Sequence, residues 1–193
     1  YIVRYAAEKG QLAVLKFLIE EVGADPRARN DSAFGAACAS GNIEAAEYLR
    51  QKGCKTKDKD NYPVWAAAHH GHLHVLEYLH DMGHSLTKAR QKEYAPLLEA
   101  VGRGHTRIVN FMADKGVDLD QDNGRALAHA ACRGDLNMVK TLVELGANVQ
   151  ARDYEWQKEH KTSVKLKDVF AKWVLRRDEE THSRDHFEYT ALA

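Results

Sequence analysis

Apolar and polar residues along this chain follow a helical beat that returns at nearly constant intervals. The longer phrase reads GQLAVLKFLIEEVGAD from Gly10, GNIEAAEYLRQKGCK from Gly41 and GHLHVLEYLHDMGHS from Gly71. It returns as GHTRIVNFMADKGVD from Gly104 and GDLNMVKTLVELGAN from Gly134, so the opening glycines are spaced by 31, 30, 33 and 30 residues. In the third copy Leu73, Val75, Leu76, Tyr78 and Leu79 recur at helical spacing; in the fifth, Leu136, Val139, Leu142 and Val143 do the same. The glycine that ends each copy (Gly23, Gly53, Gly83, Gly116, Gly146) suits the left-handed position just past a helix.

A shorter, alanine-rich phrase precedes each of these: YIVRYAAEKG, SAFGAACASG, YPVWAAAHHG, APLLEAVGRG and RALAHAACRG. Alanine favours helix, and its small side chain lets neighbouring helices approach. Pro63 and Pro96 fit the first helical position, where a missing N–H costs nothing. Each cycle therefore predicts a helix, a tight turn, a second helix and a polar excursion. Helices this short are marginal alone and must bury their apolar faces against the next unit. The expected fold is all-α, a solenoid of stacked helix-turn-helix units with short finger loops.

These residues and their phase resemble the ankyrin repeat. The resemblance covers residues 1–153 as five units, about 1–31, 32–61, 62–94, 95–124 and 125–153. The family's TPLH start is degraded here to Tyr1–Arg4, Ser32–Gly35, Tyr62–Trp65, Ala95–Leu98 and Arg125–Ala128. Its loss, together with Gly35 inside a helix, predicts a weak second unit. Three connections are about three residues short, so stubby fingers are expected between units one and two, two and three, and four and five.

After GANVQARD the next unit fails to arrive on time, and TALA at Thr190–Ala193 has the phase of a late start. Residues 154–185 therefore read as a helical insertion or extension, and 186–193 as the beginning of a sixth unit; an odd C-terminal tail is the alternative. The native protein is expected to continue at one or both ends. Leu166, Val169, Phe170, Trp173 and Val174 place an apolar stripe on one helical face of the insertion. The stripe suits packing on the array, a partner's groove or a membrane surface. The acidic run Asp178–Glu180 opposes strong membrane anchoring.

Charge adds a restriction. Lys and Arg total 28 against 28 Asp and Glu, and this zero balance disfavours nucleic acid as a partner. No apolar run approaches the roughly 18–20 residues of a membrane span. The three cysteines, Cys38, Cys54 and Cys132, lack any framework spacing, which predicts an intracellular setting, cytoplasmic or nuclear. A host cell is the compartment if the source is a pathogen or virus.

Histidines crowd the third unit at His69, His70, His72, His74, His80 and His84. Three or four converging ligands are needed for zinc, and the repeat phase does not bring them together. They are read as solvated and repeat-dictated, with pH sensitivity near the ordinary histidine range. No phosphate loop, GxSxG or HExxH occurs. The chain is thus expected not to be an enzyme and to need no cofactor or metal.

The resemblance implies a protein-interaction module that binds another protein through the concave first-helix face and the finger tips, and the chain is expected to be a monomer. The residues on those positions are Glu8, Lys9, Ser40, Asn61, His69, His70, Tyr94, Arg103 and Arg133. A different class of reading is a targeting or substrate-recruiting part of a larger enzyme or host-directed effector, with catalysis outside these residues.

Overall fold

In the computed structural model of the chain, residues 1–57, 61–87 and 95–149 are described. Among them the regular elements are ten helices and no strand, which is the all-α architecture the periodicity predicts. They pair as α1 (Ile2–Glu8) with α2 (Leu12–Glu20), α3 (Ala28–Ala39) with α4 (Ile43–Gln51), and α5 (Tyr62–His70) with α6 (Leu73–Asp81). The later pairs are α7 (Pro96–Gly102) with α8 (Thr106–Asp114), and α9 (Gln121–Cys132) with α10 (Leu136–Glu144). The chain divides into two compact units, Tyr1–Leu119 and Asp120–Ala193. The insertion at 154–185, with Leu166, Val169, Phe170, Trp173 and Val174, lies outside the described residues, as do the sixth-unit start at 186–193 and Tyr94.

Within the first unit the first helices α1, α3, α5 and α7 pack side by side, while α2 packs on α4 and α6 on α8. Alanine makes this spacing possible: Ala7, Ala37, Ala66, Ala67, Ala68 and Ala100 are fully buried. The second helices supply the bulk, with Leu15, Leu49, Val75, Leu76, Leu79 and Val109 at 0% exposure. Each such aliphatic side chain contributes about 1.5–3 kcal/mol relative to its exposed state. In the second unit α9 and α10 pair around Ala130, Met138 and Leu142.

Successive repeats of the first unit are joined at one recurring point. The residue after each opening glycine reaches a main-chain carbonyl one repeat earlier. Asn42 Nδ2 donates to Gly10 O at 3.1 Å, His72 Nε2 to Ala39 O at 3.1 Å, and His105 Nε2 to His69 O at 3.2 Å. A carbonyl can only accept, so both imidazoles carry their proton on Nε2. The rings lie directly on glycines: a Cβ on Gly41 would stand 2.8 Å from His72 Nδ1, and one on Gly71 2.7 Å from His105 Cε1. These two glycines also have φ of 75° and 81°, so both the turn and the close approach exclude a side chain.

The second helices carry another recurring bond. Tyr48 Oη donates to Glu20 Oε1 at 3.0 Å, and Tyr78 Oη donates to Glu47 Oε2 at 2.7 Å. Arg50 binds Glu47 through Nε at 2.8 Å and Nη2 at 2.6 Å. That guanidinium first, then the Tyr78 hydroxyl and the Gln51 amide, hold the Glu47 carboxyl down at about 2.

Three local expectations are revised. Pro63 occupies the second helical position, because Tyr62 is the first residue of α5; its N–H would be unsatisfied there as well. α3 starts at Ala28 and α9 at Gln121, a turn ahead of the expected repeat starts at 32 and 125. Gly35, expected to weaken its helix, is the floor for an aromatic ring. A Cβ there would stand 2.5 Å from Tyr62 Cδ1 and 2.8 Å from Cε1, and the Tyr62 ring stacks on Trp65 at 5.7 Å between centroids.

The first repeat exposes apolar residues that its counterparts cover. Val14 is 47% exposed, whereas Ala45, Val75 and Ile108 at the same phase are at 0%, 0% and 1%. Ile2, Tyr5, Phe17 and Val22 are exposed as well.

The Gly35 contact decides the sign of a substitution. Alanine in a helix interior normally stabilises by roughly 0.5–1 kcal/mol over glycine. Here Gly35→Ala is expected to destabilise by about 1–2 kcal/mol, because the stacked ring must move. Urea unfolding followed by circular dichroism checks it. In a Tyr62→Ser background the same change should become stabilising, and a stabilising effect in the parent chain would contradict the contact.

Candidate functional site

The first-helix face of the first unit is built from the residues just ahead of each opening glycine. On α1 these are Glu8 and Lys9, both exposed, with Arg4 paired to Glu8 at 3.7 Å and Lys9 Nζ 5.5 Å from the Tyr5 ring centroid. On α3 they are Ala39 and Ser40, half-buried; Ser40 Oγ lies 3.1 Å from Ala7 O and 2.9 Å from Ala37 O. On α5 they are His69, half-buried, and His70, exposed. On α7 the exposed Arg103 follows Gly102.

The last two helices meet in one cluster. His69 Nδ1 stands 2.9 Å from Glu99 Oε2. Arg103 Nε is 3.8 Å from the same oxygen and 3.2 Å from His69 Nδ1. One ring nitrogen cannot donate to Glu99 and accept from Arg103 together. The carboxylate decides the choice: a lone pair on Nδ1 would face the lone pairs of Oε2, so Nδ1 carries the proton and donates. Arg103 is then held only by the longer contact to Glu99. The Trp65 ring backs His69 at 4.7 Å, and His70 meets it edge-on at 4.8 Å. Tyr62, Trp65 and His69 thus form an aromatic stripe along α5.

Other sequence-marked residues are placed differently. Asn61 is 6% exposed, adopts a left-handed backbone (φ 54°) and donates through Nδ2 to Ser85 O at 2.7 Å. It supports the neighbouring loop and has little surface to offer a partner. Arg133 is exposed at the end of α9 in the second unit. The histidines are less solvated than their hydrophilic character suggests. His72 and His105 are half-buried in the inter-repeat bonds, and His84 is 4% exposed. His84 follows a helix-ending glycine, a position filled by the buried Cys54, Val117 and Ala147 in other repeats.

Sequence reasoning missed Glu99, Trp65 and Tyr62. A signal for Glu99 was present. Five residues before the opening glycine the first unit has Tyr5, Ala36, Ala66 and Glu99, so a lone carboxylate stands in a column of uncharged residues. The cysteines are buried or partly so. Burial pushes the Cys38 thiol up to about 12, and the Cys54 thiol, whose Sγ lies 3.3 Å from Pro26 O, up to about 11. A thiol so raised is a poor nucleophile at neutral pH. Among the described residues no three His, Cys, Asp or Glu side chains converge as a metal site, and no helix is long and apolar enough to cross a membrane.

Comparison with known proteins agrees with the repeat geometry. A family model for ankyrin repeats in three copies matches residues 2–90 and 64–153, and the chain belongs to the ankyrin-repeat family. An ankyrin repeat protein of Acanthamoeba polyphaga mimivirus, L66, is 43% identical over 42 residues, which is 22% of this chain and 7% of that protein's length. The crystal structure of the human ASB11 ankyrin repeat domain is similar with a TM-score of 0.66 and 25% identity, covering 78% of this chain and 72% of that one. Ankyrin repeats serve generally as protein–protein interaction modules and are typically non-catalytic.

The histidines make the first unit sensitive to acid. Burial first, and then neighbouring His69 for one and His74 for the other, hold His70 and His72 below the ordinary 6.5, while the Ala39 carbonyl pulls His72 back up. A value lowered in the folded chain means that unfolding takes up protons. The associated stability is present above about 6.5 and is lost as pH falls through the folded-state values. Melting temperature should be lower at pH 5 than at pH 7. His72→Asn, which copies Asn42 and keeps a donor, should shrink the drop; an unchanged drop would dissociate it from His72.

Proposed function

We propose that this chain binds a partner protein through the first-helix face of its first unit, with His69, Glu99 and Arg103 at the centre. The cluster of half-exposed charge backed by the Trp65 ring carries the reading. Aromatic and arginine side chains are the usual anchors of protein interfaces. The face is also held in advance by the bonds from Asn42, His72 and His105, so binding orders little backbone. Glu8, Lys9, Ser40 and His70 extend the surface over α1, α3 and α5, and Arg133 offers a separate cation on the second unit.

The test uses three baits: the intact chain, the chain with residues 154–185 replaced by a short finger, and the chain carrying His69→Ala with Arg103→Ala. Circular dichroism first establishes that each is folded. A partner from source-cell or host-cell cytosol should be retained by the first two baits and depleted at least about tenfold on the third. Retention by the third, with loss from the second, would move recognition to the segment bearing Leu166, Val169, Phe170, Trp173 and Val174.

A further inference from the structure

The hydrogen-bonding inventory of the α5–α7 cluster is unbalanced. Glu99 Oε2 is approached by two donors, His69 Nδ1 at 2.9 Å and Arg103 Nε at 3.8 Å. The shorter bond belongs to the histidine, and the geometry leaves the guanidinium weakly matched. Arg103 has 49% of its side chain exposed, against 20% for Glu99 and 21% for His69. A guanidinium brings five N–H donors in a fixed fork and prefers a bidentate carboxylate. The acceptor already present is thus mostly covered and takes its short bond from His69, while the guanidinium is half-exposed.

The rest of the face has the same bias. Arg4, Lys9 and Arg103 stand against Glu8 and Glu99, and Arg4 and Glu8 pair with each other. Lys9 lies over a ring rather than beside a carboxylate. On α3, between them, Ala39 and Ser40 carry no charge.

We infer that the partner of this face is an acidic, unmodified peptide segment, one of whose Asp or Glu carboxylates takes the Arg103 fork while His69 keeps Glu99. This rests on the binding function proposed above for the first-helix face. The His69–Glu99 bond has a defined part in it. By donating to Oε2, His69 takes one acceptor position of Glu99 and leaves Arg103 with the longer 3.8 Å contact, so the outer guanidinium donors can meet an incoming carboxylate. A single negative charge suits a site that still contains Glu99, whereas a phosphate dianion beside that carboxylate would meet stronger repulsion. The class of ligand is thus a carboxylate-bearing chain rather than a phosphorylated one.

The test selects a displayed library of random, unphosphorylated twelve-residue peptides against the full chain, Arg103→Gln and His70→Trp. The last substitution is at an exposed site and fills the face while leaving Glu99 and Arg103 in place. Circular dichroism checks folding of each variant. Peptides selected on the parent chain should be enriched in Asp and Glu. The best of them, titrated by fluorescence anisotropy, should bind Arg103→Gln roughly tenfold more weakly and Arg103→Lys at an intermediate level. His70→Trp should abolish capture. If His70→Trp abolishes capture but the peptides are not acidic, or Arg103→Gln binds them equally, the face still binds and the inference about its partner is overturned. Capture unaffected by His70→Trp, or no capture at all, removes both readings.

Discussion

The first unit depends on a bond that each repeat makes to the backbone of the repeat before it. Asn42, His72 and His105 stand at the same phase and reach the carbonyls of Gly10, Ala39 and His69. The apolar faces of such short helices supply most of the stability, yet apolar burial has no direction and tolerates sliding. A side chain set on a glycine and aimed at one carbonyl allows one register. Close packing of the imidazoles on Gly41 and Gly71 makes that register steric as well as polar.

The same bonds end where the candidate site begins. The carbonyls they capture belong to the last residues of the first helices or to the opening glycine, which is where His69, Ser40 and Lys9 present their side chains. His105 holds the main chain of His69 while the ring of His69 donates to Glu99. The inter-repeat bond and the side-chain bond of the candidate site thus engage opposite sides of one residue. The Glu20–Tyr48 and Glu47–Tyr78 bonds couple the second helices and leave the first-helix face free of those charges.

Small residues around α5 give this face its relief. Gly35 on α3 accepts the Tyr62 ring, and Ala39 and Ser40 carry only small side chains. At the degraded start of the third repeat, the Tyr62 ring lies against Gly35 of the repeat before it. A carboxylate in place of alanine at Glu99 would be costly if buried alone. It is retained half-covered, with a histidine and an arginine to meet it.

Local pattern was enough for the helix pairs among the described residues and the burial of Leu76, Val75 and Leu79, because a helical period with a glycine stop reports which face is apolar. It was also enough to place Glu8, Lys9, Ser40, His69, His70 and Arg103 ahead of their glycines. It could not say that Asn61 turns inward, that His84 occupies a slot used elsewhere by Cys54 and Val117, or that Gly35 serves Tyr62. Nor could it join His69 to Glu99, which lies 30 residues away. Those outcomes depend on which side chains from successive repeats arrive opposite each other. That is set by stacking register and side-chain direction, so only the tertiary structure decided them.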